Sequence, residues 1–521
     1  MTQSTTNSKP ESESLKETLI SIVIAFAMAF VGRSYVIEPF VIPTGSMAPT
    51  LNGAHMRFQS PVNGFEWAVN PRDGIVSGQH PLHVQGAKNN PRGPIRVSDP
   101  VTGREISQFD VPLHAGDRIL VLKYLYAIFE PKRFDVVVFK NPENPQENYI
   151  KRLIGLPNEQ LWLCDGDLFV RMPNSKDAGL QQWRIQRKAR RIQNEVWWPV
   201  FSSEYTPLKK AMLGQPWHGP WFGEGWDVSS RDYRADTASP GDLVWNTDAW
   251  PITDRTPYNE PVERAYRAIP HFPISDLRMR LGVEPDSAGA SATATLVARK
   301  HEFQAVVKDQ TATLRMRAVG EESWQTLDSA DAPRFKVGAI TDIEFIHVDQ
   351  SLELRIDGKR IAYAQYTWSP QDRLDFSTND NAHRPRGAPL ADPRSYISPK
   401  LAWTFAGSPV TLHRVGVDRD LYWRTDVPSG WTDYARATAP DTVFQLDKDE
   451  FFMCGDNSPS SLDARMWDKV DPWVAATIDD RIGVVNRSLM MGKAFFVYFP
   501  ATHTNLGSIP IPDFGRLRFI K

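Results

Sequence analysis

Hydrophobic and polar positions along this chain change character several times. Residues 1–17 are polar and rich in Ser and Thr, and Leu19 to Val31 is then almost wholly apolar before Gly32 and Arg33. That run is shorter than the ~20 residues a spanning helix uses. Thr18, Gly32 and Tyr35-Val36-Ile37 extend it, and Arg33 can snorkel, so 18–34 is predicted as a membrane anchor. A cleavable leader is the rival, since Ala27-Met28-Ala29 fits a small-x-small site, but Glu11, Glu13 and Glu17 crowd the segment before it. Tyr35 to Val41 is β-branched and aromatic and predicts a strand.

Asn52 to about Ala115 is rich in Gly, Pro, Asn and Arg with little periodicity, which marks an insertion. Strands return at Ile119–Leu122 and Asp135–Phe139. Leu161–Cys164 and Leu168–Val170, split by Asp165-Gly166-Asp167, predict a hairpin. The stretch 171–447 is too long for a loop. Within it Ala312, Leu314 and Met316 alternate with Thr313, Arg315 and Arg317, and Leu352, Leu354 and Ile356 alternate with Glu353 and Arg355 ahead of an Asp357-Gly358 turn. Strands at this spacing without helical patterns between them predict a β-sandwich. The run Ile343 to Gly358 resembles part of a concanavalin-like jelly roll, a fold that binds glycans in some proteins and merely packs in others.

Composition narrows the picture. A chain of 521 residues suggests roughly three domains. A net charge of −2 without a basic block argues against nucleic acid as a partner. With 41 prolines and 17 tryptophans, the body is expected to be mostly β. Two cysteines, Cys164 and Cys454, cannot make a disulfide framework; they could pair once, and two buried thiols are the expectation.

Three short blocks carry the candidate chemistry. Ile42-Pro43-Thr44-Gly45-Ser46-Met47-Ala48-Pro49-Thr50-Leu51 sets a serine just beyond the apolar run. A serine hydroxyl needs a base to take its proton. Tyr149-Ile150-Lys151-Arg152-Leu153-Ile154 offers a lysine among apolar neighbours, where burial can lower its pKa enough for it to act as one. Gly455-Asp456-Asn457-Ser458-Pro459-Ser460-Ser461-Leu462-Asp463-Ala464-Arg465 lies near the C-terminus. Ser60-Pro61-Val62-Asn63-Gly64-Phe65 has the shape of a zinc knuckle with both cysteines absent, and His55, His80 and His83 nearby make no motif. No His-Glu-x-x-His, paired Cys-x-x-Cys or phosphate-binding glycine loop is present, so no metal and no cofactor is expected.

Taken in this order, the three blocks resemble the type I (leader) signal peptidases, membrane-tethered Ser/Lys proteases. The resemblance implies Ser46 as nucleophile and Lys151 as general base. It implies an oxyanion site made by the Ser46 N–H and the Thr44 hydroxyl, threonine standing where serine is usual. Ser461 would hold Lys151 in place, with Asp463 and Arg465 as a supporting pair. Phe40, Ile42, Leu51, Tyr149 and Ile150 match positions lining small apolar pockets for substrate residues −1 and −3. Gly45 would leave room for substrate backbone. The expected partners are preproteins with signal peptides and the lipid bilayer, with the export machinery as a further candidate. The expected location is the inner membrane, single-pass, with the catalytic body on the outer, periplasmic face.

The expected layout is a cytoplasmic tail over 1–17, the anchor over 18–34 and a catalytic domain over 35–170 carrying the 52–115 insertion. An inserted β-sandwich-like domain follows over 171–447, and 448–521 completes the catalytic domain. Since no assigned catalytic residue lies in 171–447, that domain is expected to be dispensable for the chemistry. The alternative is a membrane-tethered β-sandwich binding protein with a non-functional protease-like core. Intact Ser46, Lys151, Ser461, Asp463 and Arg465 speak against it.

Overall fold

The computed structural model describes residues 11–31, 36–70, 95–109, 111, 113–207, 211–212, 215–259, 271–379, 389–427, 430–500, 502–506 and 509–521. His80 and His83 lie outside them. The N-terminal helix runs Glu11–Val31, and its described side chains are exposed. Among the described residues no helix is long and apolar enough to cross a membrane.

The body that carries the serine and lysine blocks is built on an eight-stranded antiparallel sheet. Its order is Ile37–Val41, Arg118–Leu122, Met490–Phe499, Val136–Asn141, Asn144–Gly155, Glu450–Cys454 and Val485–Asn486, with Arg518–Phe519 beside Met490–Phe499. Chain segments more than 300 residues apart thus lie side by side: Cys454 pairs with Arg152. The sheet is covered on both faces. Val136 and Val138 pack with Ile42, Met47, Leu51, Ile119 and Val121, while Val137 and Phe139 pack with Leu153, Ile154, Phe452 and Met453. An uninterrupted apolar run is what a strand buried on both sides requires.

The hairpin at Asp165-Gly166 forms as the sequence predicts, with Cys164 opposite Asp167 and both turn residues at positive φ. Cys164 and Cys454 are separate, buried thiols.

Two seven-stranded antiparallel sheets make the sandwich. One includes Trp198–Ser202, Val410–Arg419, Leu277–Pro285 and Thr341–Val348; the other includes Lys400–Ala406, Ser291–Ala298, His301–Lys308 and Thr311–Ala318. Ala312, Leu314, Leu352, Leu354 and Ile356 all lie in the core between them, as their alternation requires. The Asp357-Gly358 turn is also present, Ile356 pairing with Lys359. Glu353 and Arg355, which alternate with these apolar positions, are buried as well. Their charges are met locally: Arg355 and Arg360 both donate to the Glu353 carboxylate, at 2.6 and 2.9 Å.

The sandwich proper is smaller than 171–447. Ile192, Val196, Leu421, Trp423, Ala437 and Leu446 pack in the same core as Leu153 and Phe452 of the large sheet. The self-contained strands run from Trp198 to Arg419, and those two residues are register partners on adjacent strands. The 52–115 insertion also has ordered strands: His55–Gln59 pairs with Glu66–Val69 and Leu113–His114 over a small core of Met56, Phe58, Trp67, Val69 and Val97. At the knuckle-like turn the Ser60 hydroxyl donates to Asp99 at 2.5 Å, a hydrogen bond where a thiolate would hold metal. His55 is fully buried rather than a surface residue, and burial lowers its pKa to about 4.

Candidate active site

Ser46 sits in a one-turn 3-10 helix, Gly45–Met47, directly after the edge strand Ile37–Val41. Backbone bonds pin this turn at both ends: Ile42 N–H donates to Asp117 O at 3.0 Å and Ala54 N–H to Pro43 O at 3.2 Å. Lys151 comes from Asn144–Gly155, the strand next to Val136–Asn141. Lys151 Nζ donates to Ser46 Oγ at 2.7 Å, across 105 residues of sequence. Both side chains are buried, Ser46 at 7% exposure and Lys151 at 3%. Nζ also reaches the Ile150 carbonyl at 3.3 Å and lies 4.9 Å from the Tyr149 ring centre.

Burial is the largest influence on Lys151. It lowers the pKa to about 8, against the opposing pull of Asp463, Cys454 and Asp456. An ammonium with no carboxylate in direct contact loses more by desolvation than it regains from charges at a distance. A fraction of the lysine is therefore neutral near physiological pH and can accept a proton from the serine it touches.

The third block folds against this pair. Glu450–Cys454 pairs with the end of the lysine strand, which brings Gly455 to the serine turn. A Cβ on Gly455 would lie 2.5 Å from Ser46 O and 2.2 Å from Ser461 Oγ, so only glycine fits. Asp463 and Arg465 are fully buried and doubly bonded, Nε to Oδ1 and Nη2 to Oδ2, each at 2.9 Å. Gly455 N–H donates to Asp463 Oδ2 at 2.9 Å and Arg465 Nη1 to Ser458 Oγ at 2.6 Å. Burial pushes the Asp463 carboxyl up, but the Arg465 guanidinium more than reverses this and keeps it below the usual range. A second buried pair, Arg152 with Asp456, ties the residue after the lysine to the same block at 2.6 and 2.7 Å. Sequence reasoning gave Arg152 no role; two adjacent basic residues within an apolar run were the available signal.

The remaining site residues are placed as follows. Ser461 is buried beside Asp463 without the geometry of a hydrogen bond, and its Oγ makes none to Lys151. Thr44 is exposed at the mouth of the turn, its side chain free of any capping bond. Ile42 and Leu51 are core residues beneath the turn, with Phe40 and Ile150 half-buried against the same cluster. Tyr149 is half-buried, its ring edge-on to Phe139. Ile37–Val41 is at the end of the sheet order, and the lysine strand pairs with Glu450–Cys454 only from Arg152 onward. Backbone on both sides of Ser46 thus has an edge to which an extended peptide can add.

Two further residues border the serine turn, and both belong to the stretch expected to be dispensable. The Tyr258 ring lies against Gly45: a Cβ there would fall 2.0 Å from Tyr258 Cε1. The room expected for substrate at Gly45 is occupied on that side by this ring. Asn259 bonds to Asn457, which in turn donates to Gly45 O at 2.9 Å. No motif announces Tyr258 or Asn259, because their role depends only on where the sandwich loop lands.

A family model described as signal peptidase, peptidase S26, matches residues 15–73 and 103–198, which include Ser46 and Lys151. Signal peptidase I of Rickettsia typhi is 28% identical over 159 residues, covering 30% of this chain and 44% of that protein. Signal peptidase I of Buchnera aphidicola subsp. Schizaphis graminum is 23% identical over 246 residues, covering 44% of this chain and 61% of that protein. The chain thus spans about half the length of the curated relatives it matches. Over these residues the chain is similar to the S26 peptidases, the class of protein that its Ser, Lys and Gly-Asp-Asn blocks resemble. Among solved structures, the carbohydrate-binding module CBM66 from Bacillus subtilis aligns with 38% of this chain and 95% of its own, at 8% identity and a TM-score of 0.23.

Proposed function

We propose that this protein is a Ser/Lys endopeptidase that removes signal peptides from exported preproteins. The observation that carries the reading is the 2.7 Å contact between a buried Lys151 Nζ, its pKa lowered to about 8, and Ser46 Oγ. Neutral Lys151 takes the Ser46 proton as Oγ attacks the scissile carbonyl. The Ser46 N–H and the Thr44 hydroxyl stabilise the oxyanion. The lysine ammonium then gives its proton to the leaving amine, and an acyl-Ser46 remains. Lys151 next takes a proton from water, whose attack releases the product and restores the serine. Asp463 and Arg465 hold the Gly455 turn against the serine and set the charge near Lys151.

Phe40 and Ile150, half-buried over the core residues Ile42 and Leu51, and the half-buried Tyr149 would wall small apolar pockets that favour alanine-sized residues at the cleavage site, with the substrate lying extended along the free strand edges. The apolar N-terminal segment tethers the enzyme to the inner membrane with the catalytic body on its outer face, close to preproteins leaving the export machinery. The test is cleavage of a purified preprotein in detergent by wild type and Ser46→Ala. Processing that survives the substitution would remove the serine from the mechanism.

A further inference from the structure

The 3-10 turn Pro257–Asn259 belongs to the inserted domain yet ends against the serine turn of the catalytic body. We propose that Tyr258 and Asn259 are positioning residues through which the inserted domain sets the orientation of Ser46; this rests on the Ser/Lys reading above.

Asn457 is the intermediary. Its backbone N–H donates to Ser46 O at 3.0 Å, and its side-chain Nδ2 donates to Gly45 O at 2.9 Å. The two carbonyls flanking the nucleophile's own peptide are therefore held by one residue. The second Nδ2 hydrogen goes to Asn259 Oδ1 at 2.7 Å, and Asn259 Nδ2 returns a bond to Asn457 Oδ1 at 2.8 Å. This reciprocal amide pair fixes which way the Asn457 carboxamide points. Turned over, its oxygen would face the Gly45 carbonyl and a donor and an acceptor would be lost together. Only a second carboxamide offers the matching donor and acceptor. A carboxylate at 259 accepts but cannot donate.

Tyr258 works on the other face. Its ring fills the space above Gly45, its hydroxyl donates to Ala54 O at 3.3 Å, and its carbonyl accepts from Asn70 N–H at 2.7 Å. The ring is buried and tied to both sides of the 45–54 turn. Ser46 is thus contacted by Lys151 from the large sheet and bonded by Asn457, whose carboxamide Asn259 of the inserted domain orients. A displacement of about 1 Å at a nucleophile is enough to cost roughly 10²-fold in rate.

The experiment uses the full chain in detergent, a signal-peptide-bearing preprotein and Ser46→Ala as the control. Asn259→Ala and the isosteric Asn259→Asp should each lower kcat by about 10–100-fold, with KM and the melting transition unchanged. Gly45→Ala should be inactive through its clash with the ring, and Gly45→Ala with Tyr258→Ala should recover at least about tenfold of the lost rate. That recovery shows that the ring meets Gly45 directly, while Tyr258→Ala alone should lower kcat with KM and the melting transition unchanged, which a merely stabilising ring would not do. Should Asn259→Ala unfold, Asn259→Asp and Tyr258→Ala decide the matter. Normal kcat in both Asn259 variants, or a change in KM alone, overturns the inference while Ser46-dependent cleavage by wild type leaves the protease reading standing. Wild-type cleavage that ignores Ser46 overturns both.

Discussion

Trp198 and Arg419 are paired across adjacent strands, so the chain enters and leaves the sandwich at one place. A domain with neighbouring ends and its own core can be removed without stretching its host. Replacing the residues between them by a short turn should leave the large sheet folded, because Ile192, Val196, Leu421 and Trp423 stay with the catalytic core. The same excision removes Tyr258 and Asn259. The shortened protein is therefore expected to melt cooperatively but to process preproteins more slowly than the full chain, by at least the loss seen in Asn259→Ala. Full activity after excision, with circular dichroism showing a folded body, would mean the catalytic body orients Ser46 unaided.

If Ser46 and Lys151 act on one proton, as proposed, their losses should not add. Ser46→Ala, Lys151→Ala and the double variant are expected to be similarly inactive in preprotein cleavage. Lys151→Arg should fail as well, since a guanidinium cannot give up its proton in this range. A lysine acting as the base must be neutral, and the Lys151 pKa is lowered to about 8. Plotted against pH, kcat/KM should rise and level off above about 8. A profile flat from pH ~6 to ~10 would exclude a titrating lysine base.

Asp463→Asn tests the buried support. Removing one partner of a buried pair leaves Arg465 uncompensated, at a cost of roughly 3–5 kcal/mol, to be measured by denaturant unfolding. Asp463 also raises the Lys151 pKa, while Arg465 lowers it. The variant should therefore move the midpoint of the pH profile downward. An upward shift would show that Asp463 acts on the lysine by some route other than its charge.

Thr44 is exposed at the start of the serine turn. Thr44→Ser should process preproteins at near wild-type rates, and Thr44→Val should lose about 10²–10³-fold in kcat if the hydroxyl donates to the oxyanion. Unchanged kinetics in the valine variant would leave that task to backbone N–H groups.

What the sequence determined by itself is whatever is written in local order. The alternation at Ala312 to Met316 and at Leu352 to Ile356 requires two-sided strands, the Asp-Gly dipeptides at 165–166 and 357–358 require tight turns, and both appear in place. The serine and lysine blocks could be recognised because each needs particular neighbours within a few residues. Other features were decided only by tertiary structure. The partnership of Ser46 with Lys151 spans 105 residues, and the burial that lowers the lysine's pKa is a property of the assembled sheet. Asp463 and Arg465 have the same sequence whether they lie at a surface or in a core, and it is packing that makes them a fully desolvated pair. Tyr258 and Asn259 carry no local signal, because a ring against a glycine and one amide facing another exist only after two distant segments have docked.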